Sequence, residues 1–317
     1  MFDYLSRFTD WRDYQHRVVA NVHGQLMPVP FNLRSLAVAF GDREAARLGK
    51  KLLATYGPEQ KVGILELRRS EDPDLSAVAD YVYENVFLHY TVKQWGTTPE
   101  EIDPATTARV PVFLSQDDRY FQDSWQGMPT LGYTAMFEKL LDHPGIELRT
   151  GAEAAQVLTL SEGFLLVDGR SFLGPVIYTG AADELFDCRF GRLPYRTLDF
   201  QFETLPLEWF QTHGTVNYTI DQPYTRITEF KHLTGQERRD CTSIVREYSR
   251  AYTGAAGEVP YYAIISPENN ALYQTYKGLA AAYPNLHLLG RLAEYQYYNM
   301  DAIAARALAL CDALIGS

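Results

Sequence analysis

An α/β fold with α+β character is what this sequence predicts, and three stretches predict it. Between residues 33 and 108, apolar residues recur at helical spacing. Between about 195 and 250 they alternate with polar ones, as strands of an antiparallel sheet do. From 266 the order is helix, strand, turn, helix. The expected organisation follows. Residues 33–108 form a helical subdomain, residues 1–32 with 109–265 form an antiparallel sheet domain, and residues 266–317 close the chain.

Each element has its own justification. Residues 1–32 hold a short helical start and then "HRVVANVHGQLMPVPFNL", which alternates around Gly24. That alternation predicts a β-hairpin ending at Pro28 and Pro30. "DREAARLGKKLLATYG" carries Ala45, Leu48, Leu52 and Tyr56 at helical spacing, with Asp42 near its start and Gly57 just past its end. "DLSAVADYVYENVFLHYTVKQWG" continues as helix, with Ala77, Ala79, Val82 and Val86 assigned to one face. After Pro111 the pattern is mixed. "GYTAMFEKLLDH" predicts a helix capped near Gly132, and "GIELRTG" and "GFLLVDG" read as strands. "GPVIYTGAADELF" reads as strand, tight turn and helix start. "YRTLDFQFETL", "GTVNYTI", "YTRITEFKHL" and "TSIVREYSR" supply the alternating strands.

Composition narrows the class. At 317 residues the chain can bury a sizeable core. Its 22 tyrosines are an excess that suits half-buried surfaces, where a ring packs and a hydroxyl meets something polar. A net charge of −11 speaks against a nucleic-acid partner. Cys188, Cys241 and Cys311 are far apart and form no CxxC pair, which predicts a reducing, cytoplasmic setting without a disulfide framework. The longest apolar stretch, "AIAARALALCDALI", is cut by Arg306 and Asp312 and reads as an amphipathic helix, with no membrane span expected.

Common cofactor and metal motifs are missing. No two glycines are separated by a single residue, so there is no GxGxxG turn. HExxH and GxSxG are absent, and the histidines have no metal spacing, so no metal is expected. "DPD", Asp72 to Asp74, resembles the DxD of metal-dependent glycosyltransferases, but without an adjacent β-strand it reads as a solvated helix-start loop. Arginines and tyrosines stand out instead. "YTVKQWG", "ARVPVFLSQDDRYFQD", "PYRT", "PYTRITE" and "PYYAI" set Arg109, Arg119, Arg196 and Arg226 on or near extended segments beside tyrosines. Guanidinium forks among hydroxyls suit an anion such as phosphate. Taken singly, each also suits a strand-edge ion pair or a core ring.

These motifs, in this order, resemble the UDP-galactopyranose mutases. "YTVKQWG", "DDRYFQDSWQGMPTLGYTAMFEKLL", "VIYTGAADELFDCRFGRLPYR", "PYTRITEFKH", "REYSR", "PYYAI" and "GRLAEYQYYNMD" carry the resemblance, which spans the chain. It implies an isomerase that interconverts UDP-galactopyranose and UDP-galactofuranose through an adduct between the sugar and N5 of reduced FAD. It also implies an incomplete Rossmann-like FAD-binding domain, drawn from about 130–190 and from 266–317. The diphosphate clamp would be Arg109 and Arg226, with Arg196 a further basic neighbour. Tyr120, Tyr262 and Tyr297 would reach phosphates and sugar; Phe87, Tyr90, Thr91 and Trp95 would line the uracil pocket. Asn32 and Asn217 would approach the sugar, and Gly290, Arg291 and Met300 the flavin. Tyr295 reads as core. The helical subdomain is the candidate homodimer surface.

Two departures accompany the resemblance. Asn299 stands where the family carries Asp. The match also starts after the family's Gly-rich turn, so the chain reads as an N-terminally truncated mutase, with weak flavin retention expected. The alternatives are a flavin-free nucleotide-sugar binding protein on the same scaffold and a glycosyltransferase using Asp72 and Asp74.

Overall fold

A computed structural model describes residues 1–99 and 111–316. The chain divides into two compact units. The larger is built from Trp11–Gly132 and Thr197–Ala251, the smaller from Met1–Asp10, Tyr133–Arg196 and Tyr252–Ser317.

In chain order the elements begin with α1 (Phe2–Leu5), β1 (Trp11–Asp13), β2 (Val18–Val22) and β3 (Gln25–Val29). Helices α2 (Leu33–Phe40) and α3 (Asp42–Tyr56), strand β4 (Lys61–Val62) and helix α4 (Ile64–Leu67) follow. Then come α5 (Pro73–Val82), a π-helical stretch (Tyr83–Leu88), α6 (His89–Trp95), β5 (Val112–Phe113) and β6 (Gly127–Pro129). The middle holds α7 (Gly132–Leu141), α8 (Ala154–Val157), β7 (Leu158–Ser161), β8 (Phe164–Val167), β9 (Arg170–Phe172) and β10 (Val176–Tyr178). The long strands are β11 (Tyr195–Leu205), β12 (Thr215–Tyr218), β13 (Arg226–Glu229) and β14 (Thr242–Ala251), with α9 (Phe230–Thr234) between the last two. Strand β15 (Tyr262–Ala263), α10 (Pro267–Ala280), β16 (Leu286–Leu288) and α11 (Met300–Ile315) end the chain.

In the larger unit the strands run β11-β14-β13-β12-β2-β3. The expected hairpin is β2–β3, paired from Val18↔Val29 to Val22↔Gln25. Strand β2 also lies parallel to β12. One sheet face carries Val18, Ala20 and Val22 into a core shared with Leu36, Leu48, Leu52, Val78, Val82 and Val86. Burial of this apolar surface is the main force joining helices to sheet. Helices α2 and α5 start on side-chain caps. Asn32 accepts from the backbone N–H of Arg34 (2.9 Å) and Ser35 (3.1 Å), and Ser35 Oγ accepts from the N–H of Asn32. Asp72 caps α5, with Pro73 next.

The helix from residue 73 differs from its expected form. Leu75, Val78, Ala79 and Val82 are its buried residues, and Ala77 is exposed. Ala77 and Ala79 lie two positions apart, and on a helix that spacing puts them on different faces. The turn Tyr83–Leu88 then widens into π-helix. Helix α6 stops at Gly96, whose φ of 76° is a left-handed cap that a glycine adopts without strain. "GIELRTG" forms no strand: residues 145–151 are exposed and irregular, and its two apolar side chains, Ile146 and Leu148, remain exposed.

In the smaller unit β10 and β16 pair in parallel, Val176↔Leu286 to Tyr178↔Leu288. β7, β8 and β9 form an antiparallel sheet. β15 pairs with the first residues of β11, Arg196↔Tyr262 and Tyr195↔Ala263. The core is aromatic. Tyr195, Tyr273, Tyr276 and Tyr295 pack with Ala181, Phe186 and Leu193. Tyr295 is 2% exposed, as expected of a core ring. Its hydroxyl donates to the carbonyls of Pro194 (2.7 Å) and Ile264 (2.9 Å), tying the "GRLAEYQYYNMD" turn to two other segments. Tyr295→Phe keeps the ring and removes that donor, so it lowers unfolding free energy by about 1–2 kcal/mol, read from urea midpoints at unchanged m-value.

Candidate functional site

In the larger unit the site is built on one row of the sheet. Strand register aligns Ala20, Asn217, Arg226 and Glu247 across β2, β12, β13 and β14. Residues directly opposite in a sheet share a face, and Ala20 is in the core beneath the helices. The same face therefore presents Asn217, Arg226 and Glu247 toward the stretch Tyr83–Trp95. Four hydrogen-bonding links hold that stretch on the sheet. Thr219 Oγ1 donates to the Asn85 carbonyl (2.6 Å), and Ser249 Oγ to that of Gln94 (2.8 Å). Arg226 Nη2 donates to the Tyr90 hydroxyl (2.7 Å). Lys93 Nζ donates to the carbonyls of Tyr218 (2.5 Å) and Gln222 (2.9 Å), with those of Ile220 and Tyr224 at 3.4 Å.

The charges here are managed by burial and pairing. Arg226 lies 3.4 Å from the Glu247 carboxylate. Burial pushes the Glu247 pKa up, and Arg226 pulls against it. Burial pushes Lys93 down to about 8, and Asp221 opposes this. Asn217 Oδ1 is buried with no hydrogen-bond partner among the described residues. A buried amide oxygen in that state is costly unless something else bonds it.

The residues expected at the site fare differently. Tyr90 and Arg226 are joined. Thr91 is buried on the same helix and Trp95 ends it, half-buried. Phe87 lies in the core, its ring 6.5 Å from that of Tyr83. The Asn32 amide is occupied by its helix cap and by the Asp117 carbonyl (3.2 Å). Tyr120 donates its backbone N–H to the His16 carbonyl (2.7 Å) and meets the His16 ring edge-on at 5.7 Å. Arg119 is bound to Asp117 at 2.7 Å. Arg109 lies outside the described residues. Asp74 is held by Arg47 (2.6 Å) and Lys51 (2.7 Å), and Asp72 by its cap and Lys51 (2.6 Å), so both carboxylates of "DPD" are engaged in ion pairs.

The smaller unit carries the second group. Arg196 is 9% exposed and sits opposite Tyr262. The Tyr262 and Tyr297 rings stack at 6.4 Å with 7° between planes. The Arg291 guanidinium lies 4.1 Å from the Tyr297 ring, and its Nε donates to the Tyr298 carbonyl (2.6 Å). Gly290 follows parallel strand β16 with a φ of 108°, where other residues are strained. A Cβ built there would meet only Thr179, at 4.0 Å. Asn299 is the N-cap residue of α11 but makes no side-chain cap bond, and Met300 is exposed. A bare glycine beyond a parallel strand, a cation beside it and a helix start suit the pyrophosphate of a dinucleotide. These residues therefore fit the cofactor that the sequence resemblance implies.

Comparison with known proteins decides the family. A model of UDP-galactopyranose mutase matches residues 85–297. The chain belongs to the UDP-galactopyranose mutase family. It is 34% identical to a Klebsiella pneumoniae protein described as a probable UDP-galactopyranose mutase, over 100% of this chain and 78% of that one. It is 31% identical to the dTDP-fucopyranose mutase of Escherichia coli, over 97% of this chain and 79% of that one. Its fold resembles the crystal structure of reduced UDP-galactopyranose mutase, with a TM-score of 0.66 at 14% identity, covering 99% of this chain and 82% of that one. The mixed α/β architecture is thus that of this mutase family, as the sequence led one to expect.

Three members of the site region had no role assigned from sequence: His16, Lys93 and Glu247. A lysine on an amphipathic helix reads as solvated, and only the carbonyl cage around Lys93 reveals otherwise. The "YTVKQWG" motif held the signal, since Lys93 sits one turn from Tyr90. Lys93→Met leaves those carbonyls without their donor. It lowers stability by roughly 2–4 kcal/mol, seen as a fall in thermal midpoint.

Proposed function

We propose that this mutase-family chain interconverts the pyranose and furanose forms of UDP-galactose, with FAD as cofactor. The observation that carries the proposal is Arg226. A guanidinium is held on a half-buried sheet face by Tyr90 and Glu247, in register with an amide oxygen that has no hydrogen-bond partner among the described residues. A fixed guanidinium fork among hydroxyls is suited to a diphosphate. Glu247 restrains Arg226 on one side, and Tyr90 restrains it on another, so little order remains to be gained on binding.

In this reading the larger unit supplies Arg226, Tyr90, Thr91, Trp95, Tyr120 and Asn217 for nucleotide, diphosphate and sugar. Arg109 is the second clamp residue. Arg226 keeps the departing diphosphate as a paired anion, which eases its loss from the anomeric carbon and its return. The smaller unit supplies Gly290, Arg291 and Met300 for FAD and Tyr262, Tyr297, Arg196 and Asn299 for substrate. When bound in reduced form, FAD supplies the nucleophile for the anomeric carbon. A homodimer through the helical segment and a cytoplasmic setting belong to the same proposal.

A second reading concerns the substrate. The relative that acts on a dTDP-fucopyranose is nearly as similar as the one described for UDP-galactopyranose. Under that reading the base pocket admits a thymine methyl and the sugar lacks its 6-hydroxyl. The reduced protein, supplied with FAD, is incubated with UDP-galactofuranose and with dTDP-fucofuranose, and pyranose formation is followed by chromatography. Turnover of the UDP sugar alone supports the first reading, of the dTDP sugar alone the second, and of neither refutes both. Arg226→Ala raises the Kd for UDP by about 30- to 300-fold, measured by calorimetry; an unchanged Kd removes Arg226 from the clamp.

A further inference from the structure

His16 sits just before β2, which lies next to β12 of the Arg226 sheet. Its ring is closely bounded. The Tyr14 hydroxyl is 3.1 Å from Nδ1. The Tyr120 ring meets it edge-on at 5.7 Å, and the Phe121 ring stacks at 6.1 Å. The Tyr120 N–H also holds the His16 carbonyl. Thus His16 is positioned together with a residue that the proposed function assigns to the phosphates. Burial lowers the His16 pKa, and the charge of Arg226 lowers it further. Burial raises that of Tyr14 despite Arg12, so Tyr14 stays a neutral hydroxyl. The remaining charges nearby are spoken for. Arg17 pairs with Asp118 (2.9 Å), and Arg119 with Asp117 (2.7 Å). His213, within the field of Asp118 and Arg17, is itself lowered by burial. Glu247 lies beyond Arg226 and is paired to it. Burial is thus the first cause of the lowered His16 pKa, and the charge of Arg226 adds to it.

We infer that His16 is the proton-responsive member of the diphosphate site, taking up a proton from solvent when a diphosphate binds Arg226. The inference rests on the reading of Arg226 as a phosphate clamp. A diphosphate diester carries about two negative charges at neutral pH and reverses the sign of the field at the imidazole. Opposite charge favours the imidazolium, and by linkage a ligand that favours protonation binds more tightly as pH falls. In the imidazolium Nδ1 donates to the Tyr14 oxygen, so this hydrogen bond is kept. His16 touches neither reacting atom in this account; it adjusts the charge of the pocket to its anion.

The test uses UDP-galactose, whose diphosphate has no titration near neutrality, and the intact chain. Binding heat is measured in two buffers of different ionisation enthalpy. The wild-type protein is expected to take up roughly half a proton to one proton, and its Kd to tighten about three- to tenfold from about pH 8 to about pH 6.5. His16→Asn keeps a planar polar side chain but cannot titrate; it should bind with buffer-independent heat and a flat pH profile. A merely structural role would weaken binding equally at every pH. Wild-type heat that ignores the buffer, or proton uptake that persists in His16→Asn, overturns the inference and leaves the clamp standing. If UDP-galactose fails to bind the wild-type chain at all, the clamp and the inference fall together.

Discussion

The Lys93 ammonium group is the contact on which the larger unit's site depends. Four main-chain carbonyls surround it, all from the β12–β13 connection and its flanks. Carbonyls that line a turn cannot satisfy one another, and a single cation with three donors can gather several. The consequence is mechanical. Helix α6 carries Tyr90 and Thr91, and the connection joins Asn217 to Arg226. Fixing Lys93 to the connection fixes both sets of side chains at once. The Tyr90–Arg226 bond of 2.7 Å then forms between elements already held in place.

A net-acidic protein that keeps an arginine on a half-buried sheet face must compensate it. Removing a guanidinium from water costs several kcal/mol unless partners replace the water. Glu247, opposite Arg226 on β14, is that partner. The two groups lie 3.4 Å apart. Glu229, three residues along the same strand, is the contrast. It is fully buried, and it accepts from the N–H groups of Phe210 (3.0 Å) and Gln211 (2.9 Å) and from Thr242 Oγ1 (2.6 Å). One buried carboxylate is saturated by its own chain and holds structure. The other is paired across the strands with an arginine.

Much of this was legible in the sequence, for definite reasons. The β2–β3 hairpin, α3 and the strands β11 to β14 follow from period alone, because burial on one face imposes it. Arg226 stood out as an arginine on an alternating strand beside tyrosines. What escaped detection depended on tertiary partners. The π-helical turn has the same apolar spacing as the helix around it. "GIELRTG" has strand composition but no strand beside it to receive its hydrogen bonds. Asn32, expected near the sugar, also forms a capping box with Ser35 three positions later. His16 sits where the alternation of β2 ends, and its meaning comes from Tyr120 and Arg226, both distant in sequence.

Asn299 illustrates how a single residue separates fold from chemistry. The sequence resemblance has aspartate at this position. Asparagine and aspartate are nearly equal as helix N-caps, so the exchange costs α11 little. Here the side chain does not cap α11 at all, and the first helical turn retains Asp301 as its acidic residue. The change therefore removes a negative charge near Tyr297 in sequence without a structural motive in the helix. A carboxylate accepts only, whereas an amide both donates and accepts. The stacked Tyr262–Tyr297 pair and the Arg291 contact do not involve position 299, so the exchange bears on charge and hydrogen-bonding character at the start of α11 and not on the ring packing beside it.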